Sequence, residues 1–129
     1  MKMKTLHSNI IPILAVLFLA GCATTESTNT KSLLTTAGFH VKTPQTALQK
    51  EIYKALPAYH VARVRSDTKV LYAYKDEKAG VAYVGREPEY QRYKQLCIQQ
   101  QVAQQYYMAA EWDQYYANRW YGAWGPGYW

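Results

Sequence analysis

The chain is poor in the residues that usually announce a mechanism. Among its 129 residues are only 2 cysteines, 3 histidines and 2 phenylalanines. Two cysteines cannot staple a disulfide-dense scaffold. The histidines, His7, His40 and His60, stand in no metal-ligand spacing. There is no glycine-rich phosphate loop, no serine or cysteine in a nucleophile motif and no isolated pair of acids, so no enzyme class is indicated and no cofactor or metal is expected. Glu87 and Glu89 could be read as paired carboxylates, but their place at a helix start accounts for them. The longest apolar run, Ile10 to Ala20, is interrupted by Pro12 and falls well short of the ~20 residues that span a bilayer. The formal net charge of +6 is spread along the chain, with no basic patch or stripe of the kind that binds nucleic acid.

What the chain does have begins at its N-terminus. Residues 1–9 carry Lys2 and Lys4 and no acid, the apolar run follows, and it ends in Leu19-Ala20-Gly21-Cys22. A basic region, a short apolar core and small residues at the end are the parts of a secretory signal. Small side chains at Ala20 and Gly21 let an extended backbone enter a membrane-embedded peptidase, and the Cys22 thiol is a nucleophile able to take up a lipid. This stretch resembles the signal peptide of bacterial lipoproteins, with Leu19, Ala20 and Gly21 as the lipobox. The resemblance implies that residues 1–21 are removed and that Cys22 carries acyl chains such as palmitate, which hold the protein on a membrane. Each buried methylene contributes ~0.8 kcal/mol, so two or three chains anchor stably. Ala23, where an acid would favour the inner membrane, implies the cell outer membrane, facing the periplasm.

Removing the signal would leave 108 residues with a net charge of +4, enough for one small domain. With Cys22 acylated, Cys97 has no partner in the chain. Between Leu96 and Ile98 in a helical pattern it reads as a small buried hydrophobe; the alternative is an intermolecular disulfide.

Residues 22–37 are expected as the lipidated N-terminus and a flexible tether, rich in hydroxyl side chains up to Lys31. Ser32 to Val41 could hold a turn of helix and a short extended piece, with Phe39 in the core. Thr43 to Leu56 is predicted helical, N-capped by Thr43, with Leu48, Ile52, Ala55 and Leu56 on one face and Pro57 as the stop. Three runs with strand-like alternation follow: 59–65, where Arg63 and Arg65 share a side; 69–75, where Val70, Tyr72 and Tyr74 oppose Leu71 and Ala73; and 80–84. Short connectors make them antiparallel neighbours, with a tyrosine-rich face partly exposed and Lys75-Asp76-Glu77-Lys78 as a solvated loop. His60 reads as a surface strand residue. Glu87-Pro88-Glu89 opens a helix. No glycine or proline occurs from Tyr90 until Gly122, so this helix is expected to exceed 30 residues.

The last stretch is the least ordinary. Ten of the 19 aromatics lie in residues 106–129, and glycine and proline argue against regular structure after Trp120. Tyrosine and tryptophan combine large apolar area with a polar handle. Three roles remain open for the segment: completing the core, docking a protein, or lying on headgroups or glycans. The candidate partner-binding residues are Tyr116, Trp120, Tyr121, Trp124, Tyr128 and Trp129.

The expectation is therefore an α+β protein: a small three-stranded antiparallel meander packed by one helix over residues 38–119, with a long C-terminal helix and a Gly/aromatic tail over 120–129. As a whole it resembles the small envelope lipoproteins of Gram-negative bacteria. The expected role is non-enzymatic, an interaction or structural accessory with an envelope protein as partner; the alternative is a glycan- or ligand-binding module using exposed Tyr and Trp.

Overall fold

The structure, a computed structural model, describes residues 29–125. The expected signal peptide, lipobox and Cys22 lie outside the described residues, as do Tyr128 and Trp129. No described helix is long and apolar enough to cross a membrane. The fold is α+β, but the sheet has five strands rather than three. In chain order the elements are helix α1 (29–37), β1 (His40–Lys42), α2 (Ala47–Ala55), β2 (Val61–Ser66), β3 (Lys69–Asp76), β4 (Val81–Gly85), α3 (Glu87–Gln99), a 3-10 turn (Gln104–Tyr106), β5 (Ala110–Glu111) and α4 (Gln114–Trp124).

The sheet runs β1-β4-β3-β2-β5. The three expected runs are its consecutive central strands, β2, β3 and β4, paired antiparallel. β1 joins β4 antiparallel, and β5 joins β2 parallel through Ala62↔Ala110 and Arg63↔Glu111. β3 is central and is buried along six consecutive residues, Leu71 to Asp76. Alternation along the strands supplies two apolar faces. Val61, Tyr72 and Tyr74 pack with Leu33, Leu34 and Ala37 of α1, Phe39, and Tyr90, Tyr93 and Cys97 of α3. Ala62, Val64, Leu71, Ala73, Ala82 and Val84 pack with Ile52 of α2 and Ala117 and Trp120 of α4. The tyrosine-rich face expected to be partly open is thus covered, with Tyr72 and Tyr74 each 2% exposed.

The expected tether does not extend to residue 37. Leu33, Leu34 and Ala37, at i, i+1 and i+4, form the buried stripe of α1. The helix stops at Gly38, whose φ of 103° only glycine adopts cheaply. There the Gly38 amide donates to Thr35 O (3.1 Å) and the Phe39 amide to Leu34 O (3.0 Å). Phe39 is buried, as expected.

α2 starts later than expected. Its N-cap is Thr46, not Thr43. Thr46 Oγ1 accepts from the Gln49 amide (3.1 Å) while Gln49 Oε1 accepts from the Thr46 amide (3.2 Å). This reciprocal pair satisfies two orphan donors at once, which a lone Thr43-Pro44 cannot do.

The stretch Lys75 to Lys78 is only half a loop. Lys75 and Asp76 close β3, both buried, and point to opposite faces. Lys75 Nζ donates to the last carbonyls of α2, Tyr53 O at 3.2 Å and Lys54 O at 3.4 Å, where a cation also suits the helix dipole. On the other face Asp76 Oδ2 accepts from Lys31 Nζ of α1 at 3.0 Å, and Asp76 Oδ1 from the Ala79 amide at 3.3 Å. Burial pushes the Asp76 carboxyl up, but the Lys31 ammonium and the Ala79 amide hold it below the usual carboxylate range. One strand end thereby ties a helix to each face.

The single long helix is also replaced by two shorter ones. α3 ends at Gln99 because Gln101 takes a left-handed φ of 56°. The Gln101 amide donates to Ile98 O (3.1 Å) and the Val102 amide to Cys97 O (2.9 Å). This is the same closure as at Gly38, made here by glutamine, with Val102 packed back on the core. Tyr90 and Tyr93 then hold the returning chain. Tyr90 Oη donates to Tyr107 O (3.0 Å) and accepts from the Ala109 amide (2.9 Å), and Tyr93 Oη donates to Tyr106 O (2.9 Å).

Candidate functional site

The aromatic segment is largely ordered rather than an irregular tail. Asp113 caps α4 by accepting from the Tyr115 amide at 2.9 Å. Gln114 Nε2 donates to Arg65 O at 2.7 Å and fixes the helix start against β2. At the other end Gln49 Nε2 of α2 donates to Ala123 O at 3.0 Å. Arg119 reaches Glu51 of α2 at 2.8 Å. Rings line the helix: Trp112 stacks on Tyr116 (centroids 5.6 Å, 17°), Trp120 stacks on Trp124 (4.5 Å, 26°), and Trp112 meets Trp120 edge-on at 6.3 Å.

These aromatics divide by exposure. Trp120 is fully buried beneath α4, so it belongs to the core and not to a partner-binding surface. Removing residues from Trp120 onward would cost about 3–5 kcal/mol through that side chain alone. Tyr116, Tyr121 and Trp124 are half-buried, as is Trp112, which the sequence reading did not single out. Tyr115, also not singled out, is the most open at 59% exposed. It lies edge-on to Tyr116 at 5.0 Å, with the Arg119 guanidinium 5.1 Å from its ring centre. Lys69 lies 5.0 Å from the Tyr121 ring centre. Trp112, Tyr115 and Tyr116 thus form a contiguous aromatic patch at the start of α4 with Arg119 beside it, while Tyr121, beside Lys69, and Trp124, stacked on the buried Trp120, lie elsewhere around the helix.

A second constellation, on the opposite face of the sheet, was not anticipated. Tyr72 stacks on Tyr90 (4.0 Å, 14°), and its hydroxyl donates to Glu87 Oε1 at 2.6 Å. Gln91 Nε2 holds Glu87 Oε2, also at 2.6 Å. The Tyr72 oxygen accepts from Arg63 Nε at 3.3 Å. Arg63 Nη1 and Arg65 Nη2 then converge on one oxygen, Glu111 Oε1, at 3.2 and 3.0 Å. Burial and the Glu87 hydrogen bond raise the Tyr72 phenol, while the Tyr72 and Gln91 donors lower Glu87. The proton therefore stays on tyrosine and the charge on glutamate. Arg65 and Arg63 hold Glu111 below the usual carboxylate range. The only sequence signal for this network was Arg63 and Arg65 at i, i+2 on one side of a strand; Glu87 and Glu111 are brought in by tertiary structure.

Glu89 serves the helix start as expected, its Oε1 accepting from the Arg86 amide at 3.1 Å. His60 is exposed. Cys97 is fully buried and its thiol is raised by burial, which removes it from the surface contact an intermolecular disulfide needs. Among the described residues no group of three or more His, Cys, Asp or Glu is placed to hold a metal ion. No family model, no curated protein and no solved structure matches this chain.

Proposed function

We propose that this protein is a lipid-anchored, non-enzymatic accessory of the cell envelope, tied to the outer membrane through acyl chains on Cys22 and acting in the periplasm by binding another envelope protein. The observation that carries the binding half is the aromatic patch of Trp112, Tyr115 and Tyr116 at the start of α4, a helix fixed at both ends. Tyrosine and tryptophan favour interfaces because they desolvate much apolar area at little cost in conformational entropy. A non-enzymatic role is supported by how the perturbed carboxylates are used: Asp76 pairs with Lys31, Glu87 with Tyr72, Glu89 with Arg86 and Arg92, and Glu111 with Arg63 and Arg65. Each has an internal partner that explains its shift without a substrate. The half-open indoles of Trp112 and Trp124 favour one alternative, a module that stacks on the sugar rings of envelope glycans.

Crosslinking in intact cells tests the main reading. A photoreactive residue at position 115 should capture one envelope protein, and Tyr115→Ala should lose that partner while melting as the parent does. An identical set of bound proteins in both forms overturns the docking surface. Trp fluorescence that responds to peptidoglycan fragments, with no protein captured, selects the glycan alternative. Labelled palmitate should enter the parent and not Cys22→Ser; a Cys22→Ser form that fractionates with membranes as before removes the anchor.

A further inference from the structure

We propose that Arg63 and Arg65 form an oxyanion-binding fork for a phosphate group, and that Glu111 is an internal carboxylate occupying it until a ligand arrives. The proposal depends on neither the anchor nor the aromatic surface of α4.

The two arginines stand at i, i+2 on β2, on one side of the sheet. Both guanidinium groups are spent on the same oxygen of one side chain. Each guanidinium carries five N–H donors in a fixed plane. Arg63 places Nε on Tyr72 and Nη1 on Glu111, and Arg65 places Nη2 on Glu111. A single carboxylate oxygen thus engages a small part of a donor array that suits the several oxygens of a phosphate.

The array is also held in place. Arg63 is fixed from beneath by the hydroxyl of a buried tyrosine, which is itself locked to Glu87 at 2.6 Å. An exposed ion pair adds little to stability, so stability alone is a poor reason for a link from the exposed Glu87 through a buried tyrosine hydroxyl to an arginine. Preorganising that arginine for an anion is a better one. The occupant, by contrast, is loosely held. Glu111 is half exposed and lies on a strand of two residues at the sheet edge. Its one charge faces two arginines, and the nearby Glu87 carboxylate is turned to Tyr72 and Gln91 instead, so the guanidinium donors that Glu111 and Tyr72 do not use are left to an incoming oxyanion.

Titration with inorganic phosphate, followed through the arginine Nε–H resonances of the full chain, tests the assignment. Phosphate should shift the Arg63 and Arg65 signals. Glu111→Gln removes the competing charge and should tighten binding about tenfold, whereas Arg65→Gln should weaken it about tenfold, a tenfold change being 1.4 kcal/mol. Unshifted arginine signals overturn the proposal, as do equal affinities in all three proteins. Thermal melts of both variants within a few degrees of the parent confirm that the fold is retained; if Arg65→Gln melts early, Glu111→Gln alone decides by whether it tightens phosphate. Vesicles of phosphatidylglycerol in phosphatidylcholine separate the sources. Vesicle binding that Glu111→Gln strengthens assigns the phosphate to a lipid headgroup, and phosphate binding without it assigns a soluble or polymer-borne phosphate.

Discussion

Replacing Gly85 by alanine should destabilise the fold even though alanine suits a strand better. Gly85 is buried at the end of β4, facing the Phe39 ring. A Cβ placed there would lie 2.8 Å from Phe39 Cε1 and 2.9 Å from both Cδ1 and Cζ. Carbon atoms ordinarily meet at about 3.5–4.0 Å, so the ring must retreat by about 0.6–1 Å. It has little room, since Phe39 is buried and meets Tyr93 edge-on at 6.1 Å. Overpacking of this kind costs about 1–3 kcal/mol, and the gain from leaving glycine offsets roughly 0.5–1 kcal/mol of it. The net loss centres on about 1 kcal/mol and reaches at most about 2.5 kcal/mol, a fall in Tm of about 5–15 °C for a domain of this size. Urea or thermal unfolding of four proteins reads it: the parent, Gly85→Ala, Phe39→Leu and the double variant. Leucine vacates the space the new methyl needs, so the alanine should be harmless or favourable in that background. The two changes should couple by about 1–2 kcal/mol. An alanine variant as stable as the parent, or equally damaging with and without the ring, would refute the steric argument.

Two further outcomes follow from the helix ends and the buried aspartate. Gln101→Gly should stabilise by about 1 kcal/mol, the cost of holding a side chain in the left-handed region, read as a higher urea midpoint at unchanged m-value. Lys31→Met should strand a carboxylate that is 3% exposed and cost about 1–3 kcal/mol at neutral pH. In the parent the Asp76 carboxyl lies below its unfolded value. Its contribution is therefore complete above about pH 4 and is lost as pH falls through the folded value. The Lys31 variant should lose that acid-side slope in a series of melts across pH 2–6.

Much of the frame could be read in advance, and the misses share a cause. α2 showed itself because Leu48, Ile52 and Leu56 keep helical spacing before Pro57. β2, β3 and β4 showed themselves because apolar residues alternate between short connectors. The end of α3 did not, because it depends on a glutamine taking a backbone conformation usually left to glycine. β5 did not either, and β1 showed only as a short extended piece up to Val41, since strands of three and two residues carry no periodicity and exist only by pairing. Lys75 and Asp76 read as solvent-facing because nothing local reveals that a helix end and a lysine wait on opposite sides of them. For the candidate surfaces, the aromatic content of α4 was visible, but not that Trp120 lies inside and Tyr115 outside. The tyrosine–glutamate–arginine network joins four elements, and beyond Arg63 and Arg65 at i, i+2 it leaves no spacing to find.

The order of the strands bears on how the chain reaches this state. β2, β3 and β4 are sequential and can zip as two hairpins, whereas each outer strand must return across long stretches of chain, His40 to Val84 on one side and Ala110 to Ala62 on the other. Loop closure over such separations is slow. The rims should therefore form last and, once formed, exchange their amide protons before the middle does.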